Sequence, residues 1–455
     1  MKARDPESNR APHGDALEHE FRAMFAERSE TVPMTTAPYA AVRRRITAAR
    51  RKRRMRIGSV GVAFAMAVVG IGVWTTVPSR HQGAVQPGTI DPHLPAAVLY
   101  ADGRTPIPSG PLRDAALTWL RAAHPGDLSG LTVVTTFDQA VQNAATAKIE
   151  AGDAGVAVVD DRDGAVVALA GTWNRPLPIA DLMKPVLLAQ AFEGGHYTPE
   201  SKEPLDAQTH PLYFPPGSKQ PMTYALSGNQ TRNWPPEPSN TLIPDVDVTL
   251  TQAAQMGANE PFAQLELASG MDVHSFVGFA MRAGMAKEPD LMPIPPLVLG
   301  ETKQTPLVMA SVYATLTGGG LHRDPLMVGQ LLGPDGKVVW TPPAMATRVT
   351  TANSSKQVTD VLHAALAGPT GTGIDALRKD DSSTGAMAAA PDTELSAWVT
   401  GVESHYAISV GVSNEGNNGS LAPLGYDHHG GLDFASRIAG PTWSDVVRAV
   451  RNLAP

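Results

Sequence analysis

The sequence predicts an α+β fold in which helices pack on both sides of an antiparallel sheet. The first observation is a hairpin in 155–169, where two apolar segments flank the turn Asp161-Arg162-Asp163-Gly164. The second is another pair of strand segments near the end of the chain, at 395–401 and 406–412. The third is that helical segments separate these two groups, and a helix over 443–453 closes the chain. Strands first, helices in the middle, and strands again before a final helix are typical of this class.

The other elements follow from local patterns. A helix is predicted over 111–123, where the leucines fall on one face. The segment 131–136 is rich in β-branched residues and predicts a strand, and 138–149 predicts a helix. After the hairpin, an apolar helix is expected from about 180 to 192. Strand and helix signals therefore alternate from residue 131 onward.

Composition excludes several classes of function. The 455 residues are 42% hydrophobic and 18% charged, which fits a globular protein and not a disordered one. The formal net charge is −7, yet residues 43–56 carry nine cations and no acid. Everything after this block is acidic on balance, so we expect no nucleic-acid partner for the main body. The absence of cysteine excludes disulfides, thiolate catalysis and cysteine-ligated metals.

An uncharged segment of 23 residues, 57–79, follows the basic block. A helix of this length reaches across a hydrocarbon core of about 30 Å, so it predicts one transmembrane helix. The positive-inside rule then places 1–56 in the cytoplasm and the rest outside a bacterial cell membrane. Residues 80–130 read as an extracytoplasmic linker with one short helix, and 131–455 as the main domain. A cleavable signal peptide is the weaker alternative.

Several stretches after residue 131 occur in an order and spacing that resemble the transpeptidase domain of the penicillin-binding proteins. Each stretch is weak alone, but together they cover about 325 residues. The stretches are Val134–Asp138 with Gln142 and Ala145, the Gly164 hairpin, Val248–Asn259, Leu299–Glu301 with Thr305–Leu307, Gly318–Gly320, Gly371–Gly373, Thr384–Gly385, and Gly430–Gly431 with Trp443.

The first motif of that family pairs a serine nucleophile with a lysine three residues later, and here Asp181 stands in the place of the serine. No Ser-x-x-Lys occurs anywhere in the chain, whereas Lys184 is present. In the family the reaction is acyl transfer through a serine ester, in which the lysine takes the proton of the serine. A carboxylate would pair with Lys184 instead, since i,i+3 spacing puts both side chains on one helix face. The alternative is that Asp181 acts as a general base or as a non-standard nucleophile.

The second and third motifs also differ from the pattern that the resemblance implies. Ser-x-Asn becomes Gly257-Ala258-Asn259, which keeps the asparagine that holds the substrate amide. Lys-Thr-Gly on an edge strand becomes Ser383-Thr384-Gly385, which keeps the threonine that binds the substrate carboxylate. With serine, serine and lysine all replaced, the resemblance gives no complete route to acylation.

Asp427-His428-His429 with Asp433 could form a metal site or a solvent-exposed loop, and we favour the loop. We therefore expect no metal and no cofactor. The sequence favours a membrane-anchored, penicillin-binding-protein-like pseudoenzyme of the cell envelope. It would bind peptidoglycan stem peptides or β-lactams weakly and without a covalent bond, and act in peptidoglycan sensing or scaffolding. Residues 1–56 would contact a cell-wall synthesis or cytoplasmic signalling protein.

Two alternatives remain open at this point. One is an active D,D-transpeptidase or carboxypeptidase with an unusual nucleophile. The other is a purely structural domain that holds a partner protein through a sheet edge.

Overall fold

The computed structural model describes residues 94–453 with internal gaps at 148, 150–153, 205–217, 222, 226–230, 235–246, 269–270, 288–290, 372–373, 375–382, 392–393, 417–419 and 425–433. These residues belong to a compact unit, Pro87–Pro455. The predicted transmembrane segment 57–79 and the cytoplasmic tail lie outside the described residues. Within the described ranges, no helix has both the length and the apolar character needed to cross a membrane.

The described part of the chain contains short and long strands distributed over its whole length. In chain order they are β1 Ala97–Leu99, β2 Thr132–Thr135, β3 Ala154–Asp160, β4 Val166–Gly171, β5 Leu177–Pro178, β6 Lys202–Pro204, β7 Thr223–Ala225, β8 Thr231–Asn233, β9 Asp247–Thr249, β10 Lys303–Gln304, β11 Leu321–His322, β12 Val328–Leu332, β13 Val338–Trp340, β14 Thr347–Arg348, β15 Thr384–Ala389, β16 Ser396–Glu403, β17 Tyr406–Glu415 and β18 Leu421–Ala422.

The α-helices lie mainly between β4 and β15. In chain order they are α1 Pro111–Ala123, α2 Gln139–Thr146, α3 Lys184–Glu193, α4 Leu250–Met256, α5 Glu260–Glu266, α6 Val273–Arg282, α7 Pro306–Thr317, α8 Ala352–Ala367 and α9 Phe434–Val450. Short 3₁₀ segments cover Ala180–Met183, Pro295–Leu299 and Pro369–Gly371.

The central sheet has the strand order β15-β16-β17-β3-β4, with β18 paired to the end of β17. Every neighbouring pair in it is antiparallel. The predicted hairpin forms β3 and β4, and the two predicted C-terminal strands form β16 and β17. The expected α+β class with an antiparallel sheet is therefore confirmed, and β15 is an edge strand.

Helices cover both faces of this sheet. Successive side chains of a strand point to opposite faces, and here the side chains on both faces are apolar. On β3, Val156 and Val158 pack in the core that holds α2 and α9. Ala157 and Val159 point to the opposite face and pack in the core that holds α3, α7 and α8. The second core is the larger of the two and positions the candidate site.

A smaller sheet, in the order β1-β2-β12-β13, includes residues from the predicted linker. β1 pairs in parallel with β2, and α1 forms the connection between them. Residues 97–123 are thus built into the compact unit. The sequence gives little local signal for this arrangement, since β1 has three residues and its partner lies more than thirty residues later.

The closing helix also differs from its expected range. α9 begins at Phe434, although the sequence predicted a start at 443, and it carries Pro441 in its interior. An interior proline removes one helical hydrogen bond and ordinarily ends a helix. Here packing against the sheet compensates, and Trp443 donates from Nε1 to Ile408 O at 3.1 Å.

Candidate functional site

The segment that carries Asp181 begins with a strained residue. Ala180 has φ 48°, in the left-handed region that side chains other than glycine rarely adopt. Such a conformation costs an alanine about 1–2 kcal/mol. Gly300 lies against it, and a Cβ on Gly300 would stand 2.2 Å from the Ala180 nitrogen. The surrounding fold therefore holds Ala180 in this conformation, which fixes the backbone position of Asp181.

The predicted helix over 180–192 forms as a 3₁₀ turn followed by α3. Asp181 lies in the 3₁₀ turn and Lys184 is the first residue of α3. The Lys184 side chain is fully buried, and its Nζ lies 2.9 Å from Asp181 Oδ2. The predicted i,i+3 ion pair is thus confirmed.

Lys184 Nζ also donates to Asn259 Oδ1 at 2.8 Å and to Gly257 O at 3.3 Å. With the Asp181 carboxylate, three acceptors take the three hydrogens of one ammonium group. All three donors of the Lys184 ammonium group are thus satisfied within the site.

The second-motif residues approach Lys184 from the end of α4. Gly257 ends α4 with φ 65°, and Asn259 directly precedes α5. A Cβ on Gly257 would lie 3.9 Å from Asp181 Oδ2 and 3.0 Å from the Thr370 methyl group. A serine side chain at this position would therefore start next to the Asp181 carboxylate. The structure brings together the first two motif positions that the sequence predicted.

Two aromatic residues that the sequence analysis did not single out complete the buried side of the site. Phe262 of α5 places its ring centroid 5.2 Å from Lys184 Nζ, within the range of a cation–π contact. Tyr313 of α7 is buried, and its Oη donates to Leu182 O at 3.3 Å. Burial, and then the charge of Asp181, raise the pKa of Tyr313 well above its ordinary value. The phenol therefore keeps its proton.

The outer side of the site is polar and partly open to solvent. The Asp181 side chain is 24% exposed, and Asn259 is half-buried. Within the described ranges, Asp181 Oδ1 accepts no hydrogen bond and Asn259 Nδ2 donates none. Since Lys184 only donates, Asn259 must turn Oδ1 toward it and Nδ2 away. The site thus presents one anionic acceptor and one amide donor on its open side.

The side chains at the third-motif positions Ser383 and Thr384 bond to Glu403 and Arg451 and not to the Asp181–Lys184 pair. Thr384 Oγ1 donates to Glu403 Oε2 at 2.5 Å and accepts from Arg451 Nη2 at 2.7 Å. Ser383 Oγ donates to Glu403 Oε1 at 2.9 Å. Gly385 packs against α8, where a Cβ would stand 2.8 Å from the His363 nitrogen. These residues form a separate network with Glu403 and Arg451.

The opposite end of β15 faces Asp181. Pro178 O, just before the 3₁₀ turn, accepts from Ser396 Oγ at 2.6 Å and from Trp398 Nε1 at 2.7 Å. Trp398 pairs with Ala389 in the sheet register. At about 3.3 Å per residue, Thr384 lies roughly 17 Å away along the strand.

The β15 residues beside the turn are therefore Met387, Ala388 and Ala389, all buried. Counting back from Trp398 across the hairpin would have located them in the sequence. The Thr384-Gly385 pair does not mark the part of β15 that lies beside the turn. The position of each β15 residue is set by its pairing with β16.

The metal hypothesis at Asp427, His428, His429 and Asp433 falls outside the described residues. Within the described ranges, no group of three or more histidine, aspartate or glutamate side chains has a metal-binding arrangement.

No protein-family model matches the sequence. Penicillin-binding protein 1B of Escherichia coli is 24% identical over 255 residues, which are 50% of this chain and 28% of that protein. The match thus spans less than a third of the length of this relative.

Solved structures give a more extensive match. The D,D-transpeptidase domain of a peptidoglycan glycosyltransferase from Eggerthella lenta is 16% identical, with TM-score 0.56 over 79% of this chain and 99% of that one. Penicillin-binding protein PonA1 of Mycobacterium tuberculosis is 18% identical, with TM-score 0.58 over 75% and 92%. An imipenem acyl-enzyme complex of penicillin-binding protein A from M. tuberculosis is 17% identical, with TM-score 0.54 over 78% of this chain and 90% of that one. The chain therefore carries a domain with the penicillin-binding transpeptidase fold.

Proposed function

We propose that this protein is a catalytically degenerate relative of the transpeptidases, which binds peptidoglycan stem peptides without forming a covalent bond. The observation that carries the proposal is the saturation of Lys184. Its three hydrogens go to Asp181, Asn259 and Gly257, so no base stands next to the position of the nucleophile.

The nucleophile position supports the same conclusion. A carboxylate that attacks an activated carbonyl forms an anhydride, which is a poor store for an acyl group compared with a serine ester. Asp181 is moreover held by Lys184, and Gly257 supplies no hydroxyl that could relay a proton. Chemistry at this site would lack both of the groups that the family's reaction needs.

Retention of a ligand-binding role is supported by the open side of the cleft. Asp181 Oδ1 and Asn259 Nδ2 point away from the buried cation, and both belong to partly exposed side chains. The solved relatives are described as penicillin-binding proteins, one of them as an imipenem acyl-enzyme. In this chain we expect stem peptides and β-lactams to bind reversibly.

We further propose that the domain lies outside the cell membrane. The basic block 43–56 followed by the uncharged segment 57–79 supports a single-pass anchor with 1–56 in the cytoplasm. Such a protein would sense or scaffold wall synthesis, with its tail available to a cytoplasmic or wall-synthesis partner.

Equilibrium binding of a synthetic stem peptide to the full chain tests the ligand, with Asn259→Ala as the matched site variant. We expect micromolar to millimolar binding that Asn259→Ala weakens several-fold, and no consumption of the peptide over hours. Hydrolysis or cross-linking of the peptide would establish the rival function, an active transpeptidase or carboxypeptidase that uses Asp181.

Rebuilding the site tests the scaffold. The triple variant Asp181→Ser, Gly257→Ser and Met387→Lys introduces the three missing groups at the positions that we propose for them. We expect covalent labelling by a fluorescent penicillin in the triple variant and none with Ser383→Lys in place of Met387→Lys. Equal labelling of both variants would contradict the placement of the third motif on β15.

A further inference from the structure

The Asp181 cleft has an inner side whose hydrogen bonds are complete and an outer side whose hydrogen bonds are not. On the inner side, Lys184 is fully buried and all three of its hydrogens are donated. On the outer side, Asp181 Oδ1 has no donor among the described residues, and neither has Asn259 Nδ2 an acceptor. A ligand in the cleft therefore meets a carboxylate oxygen and an amide N–H, and it does not meet the lysine.

Within the Asp181–Lys184 pair, the charged group that a ligand can reach is the carboxylate. Lys184 is the cation that contacts Asp181 and Asn259 in the described part of the chain, and its side chain is not exposed. The Asp181 side chain is 24% exposed. A ligand ammonium gains a charge-assisted hydrogen bond at Oδ1, whereas a ligand carboxylate is repelled there.

The place expected to receive a ligand carboxylate has lost its donors. The resemblance to the transpeptidases implies that a lysine and a threonine on the edge strand receive this group. Beside the Asp181 turn the strand offers Met387, Ala388 and Ala389, whose side chains donate no hydrogen bond. Thr384 cannot take over, since its hydroxyl is bonded to Glu403 and Arg451 at the far end of the strand.

From these observations we infer that the cleft recognises the primary ammonium group of a peptide ligand, and not its terminal carboxylate. The ammonium binds Asp181 Oδ1, and a neighbouring peptide carbonyl accepts from Asn259 Nδ2. This inference rests on the proposed function, because it names the part of the stem peptide that the site reads. It reverses the charge preference that the resemblance implies.

The backbone at Ala180 agrees with a binding role for Asp181. A strained conformation persists only where the surrounding structure enforces it, and Gly300 packs against Ala180 too closely for any side chain. An ion pair that only stabilised α3 would not need this turn. The strain falls on Ala180, the residue directly before the Asp181 that presents the carboxylate to the cleft.

Four forms of one stem peptide, with lysine at its third position and an acetylated N-terminus, test the inference on the full chain in detergent. The lysine ε-amine is either free or acetylated, and the C-terminus is either a carboxylate or a carboxamide. We expect acetylation of the amine to raise the Kd at least tenfold. Amidation of the C-terminus should change the Kd less than threefold, or lower it.

Two variants locate the effect. In Asp181→Asn, which keeps an acceptor for Lys184, the difference between free and acetylated peptide should fall below twofold. Asp335→Asn removes an exposed carboxylate from the β12–β13 turn and should leave the tenfold difference intact. If Asp181→Asn does not fold, binding to the unmodified protein can be measured at increasing salt concentration instead. Higher salt should weaken the binding of only the peptides with a free amine.

The outcomes separate the two levels of the argument. A Kd that does not change on acetylation of the lysine amine, or binding that is lost on amidation of the C-terminus, overturns the ammonium inference while the proposed function stands. Failure of all four forms to bind overturns both. A tenfold preference that survives Asp181→Asn places the ammonium site elsewhere and also overturns the inference.

Discussion

The two ends of the edge strand β15 use polar groups in opposite ways. At its beginning, Ser383 and Thr384 bond to Glu403, and Arg451 closes the network, so the polar groups satisfy one another. At its end, Met387–Ala389 face a turn on which Asp181 pairs one oxygen with Lys184, and the other oxygen has no donor among the described residues. A saturated network stabilises the fold and offers a ligand little, whereas an incomplete one is what a ligand can complete. The comparison associates the first end with stability, and for the second end we propose ligand binding.

Removal of Lys184 should have the largest effect on stability, since the Asp181 turn depends on its pairing with this buried cation. We expect Lys184→Met to lower the free energy of unfolding by about 3–5 kcal/mol, because it leaves Asp181 without its partner. Urea unfolding followed by tryptophan fluorescence measures the change.

The double variant Lys184→Met with Asp181→Leu is the matched control. It should recover most of the loss, because replacing both partners of a buried pair is close to neutral. A loss below 1 kcal/mol in the single variant would show that the pair does not hold the turn.

Arg451→Met tests the other end of the strand and should have the next largest effect. Glu403 is 2% exposed and would keep only hydroxyl donors, so we expect the free energy of unfolding to fall by about 2–3 kcal/mol. Stem-peptide affinity should remain within twofold of the unmodified protein. A large fall in affinity with intact folding would contradict the separation of the two ends.

The pH dependence of stability should also arise near the Thr384 end. Asp161 sits at the β3–β4 turn, where its amide donates to His405 O, two residues after Glu403. Burial raises the pKa of Asp161 to about 6, although its pairing with His405 opposes the rise. A carboxyl whose pKa is higher in the folded than in the unfolded state stabilises the fold below about pH 4, and this contribution is lost as pH rises from about 4 to 6.

Asp161→Asn should therefore stabilise the protein by about 1–3 kcal/mol at pH 7 and hardly at all at pH 4. Thermal melting at several pH values measures this difference. Asp163→Asn, in the same turn, serves as the control. Equal stabilisation at both pH values would rule out the titration of Asp161 as the cause.

Gly257→Ala should have the smallest effect. The backbone there is left-handed, and the new Cβ would lie 3.0 Å from the Thr370 methyl group. We therefore expect the free energy of unfolding to fall by about 1–2 kcal/mol. Gly336→Ala, also left-handed but with open space around it, isolates the backbone contribution. A Gly257 variant that loses no more than the Gly336 variant would show that the contact with Thr370 is unimportant.

Local sequence signals predicted the parts of this molecule that depend on neighbouring residues. The β3–β4 hairpin follows from its turn, and the Asp181–Lys184 pair follows from helical spacing. Locating the third motif needed a count back from Trp398, since the register of β15 is set by β16 across a hairpin. The parallel pairing of β1 with β2 and the passage of α9 through Pro441 likewise depend on packing between distant segments.

The mass of the unmodified protein after prolonged incubation with penicillin V tests the central claim most directly. Because Lys184 is saturated and Asp181 replaces the nucleophile, the intact mass should remain unchanged, while the Asp181→Ser, Gly257→Ser, Met387→Lys variant gains the mass of one penicillin. A stoichiometric adduct on the unmodified chain, mapped to Asp181 and absent from Asp181→Ala, would contradict the account.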